Sequence, residues 1–113
     1  MMTRLLGRPK ALDLILLSRR LTARQALEIG LVDKVSTPEN LMGDAMEYAN
    51  LLAQRPPIAV KCVLQAVSAG ICEGIDEGLR VEMEGVKTVS KTKDAVEGVM
   101  AFMQKRPPVF KGE

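Results

Sequence analysis

The sequence predicts an all-α fold of about six helices, forming a single domain over residues 1–113. Three observations carry this. Apolar residues recur at intervals of three and four between breakers, cap residues and prolines stand where helices would start, and glycines stand where they would stop. Only three residues are aromatic, Tyr48, Phe102 and Phe110, so the interior falls to Leu, Ile, Val, Ala and seven Met. Such thioether-rich cores pack adaptably.

Taken in order, Pro9 suits a first turn, and Lys10 to Leu17 places Ala11, Leu12, Ile15 and Leu16 on one face of a short helix ending near Ser18. Thr22 is an N-cap for a helix over 23–29, and Gly30 is its left-handed stop. Residues 31–35 form a brief extended link. Thr37-Pro38-Glu39 opens the next helix, where Leu41, Ala45, Tyr48, Ala49 and Leu52 recur at about 3.6-residue spacing until Arg55. Pro56-Pro57 ends that helix and starts another, striped by Val60, Val63, Leu64 and Val67 and stopped at Gly70. Ile75, Leu79, Met83, Val86 and Val89 mark an amphipathic helix over 75–89. Thr92 caps the last, residues 93–104, with Val96, Val99, Met100 and Met103 expected inward. No repeat, low-complexity tract or linker interrupts this order.

Composition narrows the function. Sixteen Lys and Arg against fourteen Asp and Glu leave a net charge of +2, which gives no support for nucleic-acid binding; positive charge is local, at 4–10 and 105–111. With no histidine and two cysteines ten residues apart, Cys62 and Cys72, neither a metal site nor a disulfide is expected, and Cys62 reads as a small buried hydrophobe. No charged-then-apolar leader and no apolar run of about 18 residues appears, so neither export nor a membrane partner is indicated and a cytoplasmic location is expected.

The most informative stretch is the tail. Val96 to Gln104 runs as a helix into Lys105-Arg106-Pro107-Pro108-Val109-Phe110-Lys111-Gly112. Paired prolines hold their neighbours extended, so Phe110 and Lys111 are expected to be carried beyond the helix instead of folding back, with ring and ammonium side by side. That pair suits a ligand bearing a flat ring and a phosphate. By pattern alone the same residues are an ordinary solvated chain end.

The string EGVMAFMQKRPPVFKG resembles the C-terminal signature of the enoyl-CoA hydratase/isomerase (crotonase) superfamily. RLLGRPKALDLILLSRRLTARQALEIGLVDKV, Arg4 to Val35, resembles the segment that follows the catalytic core there, including the Ala-Leu-Glu-x-Gly-Leu-Val run at Ala26 to Val32. The resemblance covers nearly the whole chain. It implies a C-terminal helical, trimerising portion of that fold, without the strand-rich spiral that carries two backbone oxyanion donors and, in hydratases, two catalytic glutamates. Met1 to Leu5 would lie just past the second glutamate, so no catalytic residue is expected here. The chain would be a C-terminal domain, a truncated product or one piece of a split protein.

The resemblance further implies a coenzyme A thioester as substrate, no covalently bound cofactor, and assembly as a trimer or dimer of trimers. Phe110 would pack or stack on adenine and Lys111 would meet the 3′-phosphate, tuning affinity. Ser90 stands where some hydratases place a second aromatic, which weakens a contact from that helix. Ser18 replaces a family glycine, so its backbone is expected to avoid positive φ. Arg19 and Arg20 offer charge to a phosphate but are read as structural or surface residues. Glu82 and Glu84, two apart, lie on different helix faces, and with Glu73 and Asp76 they read as solvated. Leu5 to Lys10 falls short of a phosphate-cradling loop.

The expected function is that of the helical portion of an acyl-CoA enzyme, a hydratase or isomerase, giving oligomer interface, acyl-pocket cover and CoA contact while inactive alone. The alternative is a stand-alone, non-catalytic helical oligomerisation module, which shares every helix.

Overall fold

A computed structural model describes residues 2–113. Among them are seven helices and no strand: α1 (Met2–Leu6), α2 (Arg8–Leu16), α3 (Ala23–Glu28), α4 (Leu41–Ala53), α5 (Pro57–Cys72), α6 (Ile75–Val89) and α7 (Lys93–Met103). The expected count of about six is corrected by α1, a five-residue turn of helix too short for any periodicity to reveal. Gly7, at φ 76°, breaks the chain between α1 and α2. The fold divides into two compact units, up to Ala45 and from Met46 onward.

In the first unit Ala11 of α2 is fully buried. Three short pieces of punctuation shape it. α2 ends in a Schellman turn, where Ser18 N–H donates to the Ile15 carbonyl and Arg19 N–H to that of Leu14. That turn requires a left-handed residue, and Ser18 adopts φ 47°, which corrects the expectation of negative φ: the two carbonyl bonds outweigh the Cβ penalty. Thr22 caps α3 through a reciprocal box, its hydroxyl accepting from Gln25 N–H while the Gln25 amide oxygen accepts from Thr22 N–H. Gly30, φ 76°, closes α3 with the same Schellman pattern, donating to Leu27 while Leu31 donates to Ala26.

Residues 38–40 are a hydrogen-bonded turn, not the first turn of helix the proline predicts. Asn40 and Leu41 N–H groups both donate to the Thr37 carbonyl, and α4 starts at Leu41. No residue of α4 is buried.

The second unit is built on an antiparallel hairpin, α5 against α6, joined through Gly74 at φ 109°. Its seam is lined by small residues. A methyl group on Gly78 would lie 2.7 Å from the Gly70 Cα, and one on Gly85 would lie 3.0 Å from the Cys62 Cβ. Cys62 is accordingly half-buried against Gly85, and Ala69, Gly78 and Gly85 are the buried positions of the pair. The large aliphatic side chains, by contrast, face outward: Leu64 of α5 is 66% exposed and Met83 of α6 62%.

α7 repeats this inversion. Its Val96, Val99, Met100 and Met103, expected inward, are exposed, while Asp94 and Ala101 are buried. Spacing puts residues on one face of a helix but does not say which face meets the rest of this chain. Here the backbone packs closest where side chains are smallest.

Candidate functional site

The site is the reversal at the end of α7. Thr92 starts the helix, accepting from Ala95 N–H at 3.1 Å and donating to the Val89 carbonyl at 2.7 Å, which ties the end of α6 to the start of α7. At the other end Lys105 takes φ 52°, its N–H donates to Phe102, and Arg106 N–H donates to Ala101 at 3.0 Å. This is again a Schellman turn, and it sends the chain back along the helix it has just left.

The expectation that prolines carry Phe110 and Lys111 beyond the helix is therefore corrected. Pro107-Pro108 do keep the segment free of helix, but its direction is set by the Lys105 turn and by two carboxylates one helical turn apart. Glu97 takes Arg106 in a two-point ion pair, Nη1 to Oε1 at 2.6 Å and Nη2 to Oε2 at 2.8 Å, and also accepts from Val109 N–H at 2.9 Å. Asp94, only 4% exposed, accepts from Lys111 N–H on one oxygen and Gly112 N–H on the other, both at 2.8 Å. In return the main-chain oxygen of Glu113 accepts from the N–H groups of Lys93 and Asp94, at 2.7 and 3.2 Å, donors that a helix start leaves unsatisfied. Lys93 Nζ adds an exposed ion pair to the Glu113 carboxylate at 2.6 Å.

The electrostatics follow from these bonds. Hydrogen bonding from Arg106 first, then from the Val109 N–H, holds the Glu97 carboxyl down at about 2, with the charges of Arg106 and Lys111 acting in the same direction against desolvation. The Arg106 guanidinium is raised by the same partnership.

Phe110 and Lys111 end in different settings. The Phe110 ring is half-buried over Gly98, its Cε1 3.7 Å from where a Cβ there would sit, and it closes a hollow of about 260 Å³ with Pro56, Ile58, Val89 and Val99. Lys111 is exposed. The ring is thus packed against α7 while the lysine stands exposed. Gly112, at φ 78°, passes so close to α5 that a Cβ would lie 3.2 Å from Pro57 Cγ.

Other candidates are placed as follows. Arg19 pairs with Asp13 at 2.8 Å. Ser90 is the C-cap of α6, its hydroxyl donating to the Lys87 carbonyl. Glu84 and Glu77 both hold Arg80, Nη1 to Glu84 at 2.6 Å and Nε to Glu77 at 2.8 Å, while Glu82 is exposed. Cys72 is exposed. Among the described residues no helix is long and apolar enough to cross a membrane.

Asp94 and Glu97 were missed by sequence reasoning, although a signal existed. α7 has 11 residues, so it is about 16 Å long, whereas the eight residues from Arg106 can span about 26 Å, enough to return to the helix start. Acidic residues three apart on one face then meet whatever returns.

The class follows from the whole chain: residues 1–113 match the family described as enoyl-CoA hydratase/isomerase, and the chain belongs to that family, the crotonases. It is 41% identical over 109 residues to YngF of Bacillus subtilis, a match that covers 96% of this chain and 42% of that protein. It is 38% identical to the short-chain-enoyl-CoA hydratase of Clostridium acetobutylicum, over 93% of this chain and 40% of that one. The crystal structure of an enoyl-CoA hydratase from Bacillus anthracis superposes with a TM-score of 0.90 at 40% identity, covering 98% of this chain and 43% of that one. The chain thus spans about two fifths of the relatives it matches. This also corrects the fold class. The neighbours are whole crotonase folds, and the all-helical character describes only the portion that this chain matches.

Proposed function

We propose that this chain is the C-terminal part of an acyl-CoA enzyme of the crotonase family, a hydratase or isomerase, and that it contributes to binding a coenzyme A thioester and to the oligomer. Catalytic groups are assigned to the part of the family fold that these residues do not span. The observation that carries the reading is the docked tail: α7 holds residues 106–113 in one place and leaves the Lys111 ammonium facing solvent, available to a phosphate. Phe110 serves the site by packing on Gly98 and closing the hollow beside it, which supports the segment from which Lys111 projects. The exposed aliphatic faces of α5, α6 and α7 support the oligomeric and pocket-covering roles.

The test is calorimetric, on the full-length protein. Lys111→Ala is expected to weaken coenzyme A by no more than about fivefold, as for an exposed charge contact, and to leave the analogue lacking the 3′-phosphate unchanged. The difference should shrink as salt rises. Equal affinities for wild type and Lys111→Ala with both ligands would remove the tail from the site.

A further inference from the structure

We propose that Asp94, assisted by Glu97, is a positioning residue for the ligand-binding tail: the buried Asp94 carboxylate grips the backbone on both sides of the Lys111 carbonyl, so that the backbone carrying the Lys111 side chain is fixed before any ligand arrives. This rests on the reading of Lys111 as a phosphate partner and adds what makes it effective.

The geometry is specific to that task. The two oxygens of Asp94 bind the N–H groups of two consecutive residues, Lys111 and Gly112, which fixes both the position and the rotation of the backbone at Lys111. Each is a charge-assisted bond made away from water, where its strength is greatest. Three further contacts close the ring around the same point: Glu97 on Val109 N–H, Glu113 oxygen on the N–H groups of Lys93 and Asp94, and Gly112 against Pro57. A flexible end would lose entropy on binding, and a contact as weak as one exposed ammonium on one phosphate does not offset that loss. Fixing the backbone beforehand removes the cost and leaves only the lysine side chain to order. Asp94 touches no ligand in this scheme.

The experiment has two readouts. Amide hydrogen exchange on the protein reports the grip, and the preference for coenzyme A over its dephospho analogue, measured in the full-length protein, reports the function. Asp94→Ala is expected to speed exchange at Lys111 and Gly112 by more than about tenfold, the loss of at least one charge-assisted bond. It should also erase the preference for the 3′-phosphate as far as Lys111→Ala does, and the double variant should be no worse than Lys111→Ala alone. Asp94→Asn, which keeps one good acceptor, should restore part of both. Should Asp94→Ala disrupt the start of α7, Glu97→Ala carries the test, freeing Val109 and reducing the preference by a smaller step. If exchange rises while the preference stays at the wild-type value and Lys111→Ala still lowers it, the positioning role is overturned and the Lys111 reading stands. If Lys111→Ala itself leaves the preference intact, the Lys111 reading fails, and the positioning role falls with it.

Discussion

At Gly78 a single hydrogen atom sets how closely two helices approach. Replacing it with a methyl group drives a carbon to 2.7 Å from the Gly70 backbone, which cannot rotate away as a side chain could. Gly78→Ala is therefore expected to destabilise the hairpin by about 1–3 kcal/mol in urea unfolding, as overpacking does. Gly85→Ala meets the Cys62 Cβ at 3.0 Å, a contact a small shift relieves, and should cost less. A larger loss at Gly85 than at Gly78 would mean that the seam is tightest elsewhere. Ser18 is the converse case, a side chain held at φ 47° by the Schellman turn around it. Ser18→Gly should stabilise the protein by about 0.5–1 kcal/mol, the Cβ penalty removed less the extra entropy of glycine in the unfolded chain. A destabilisation in thermal melts would show that the hydroxyl contributes what the backbone does not.

Among the elements, α7 holds its returning tail in a way that depends on ionisation. Folded Glu97 sits near 2 against an ordinary value of 4.5, so the undocked state binds more protons than the docked one between those limits. The contribution of Glu97 is fully present above about 4.5 and is lost as pH falls toward about 2. Amide protection at Val109, corrected for intrinsic exchange, should therefore fall through that window in wild type. In Glu97→Gln it should be lower at neutral pH and nearly flat with acid. Protection in wild type that ignores pH down to 2 would assign the docking to the backbone bonds alone. The cap ends of α2, α3 and α7 tell a related story: the same left-handed turn is made by Ser18, Gly30 and Lys105. Only the glycine announces itself in a sequence.

At the scale of the molecule, the aliphatic stripes of α5, α6 and α7 lie open, with Val63, Leu64, Leu79, Met83, Val86, Val96, Val99 and Met103 all exposed. Apolar surface on this scale is normally covered by other protein. The 113-residue chain on its own is expected to self-associate, which sedimentation velocity over a range of concentrations would detect; a compact monomer at the highest concentration would contradict it. If catalytic groups lie in the part of the fold that these residues do not span, as proposed, the chain is also expected to show no turnover of a short enoyl-CoA, since losing several such groups together removes nearly all rate enhancement. Activity that survives purification and vanishes on unfolding would place catalytic groups within these residues.

Sequence alone determined six of the seven described helices and the family, because breakers, caps and 3.6-residue stripes are local chemistry. Thr22, Gly30, Pro57 and Thr92 mark ends that the structure keeps, and 75–89 is helical from first residue to last. The two separated motifs at Arg4–Val35 and Glu97–Gly112 were enough to name the crotonases. Tertiary structure alone decided which helix faces meet, since periodicity is silent on whether a stripe is covered by the same chain. In α5 and α6 it chose the glycine seam, where backbones can touch, over the aliphatic one. It also decided the course of the tail. Pro107-Pro108 keep the segment out of the helix, yet its direction depends on Asp94 and Glu97, acting across nine to eighteen residues of chain. Hydrogen bonds at that separation form only after α7 has placed both carboxylates on one face, so no local reading of residues 105–113 contains them.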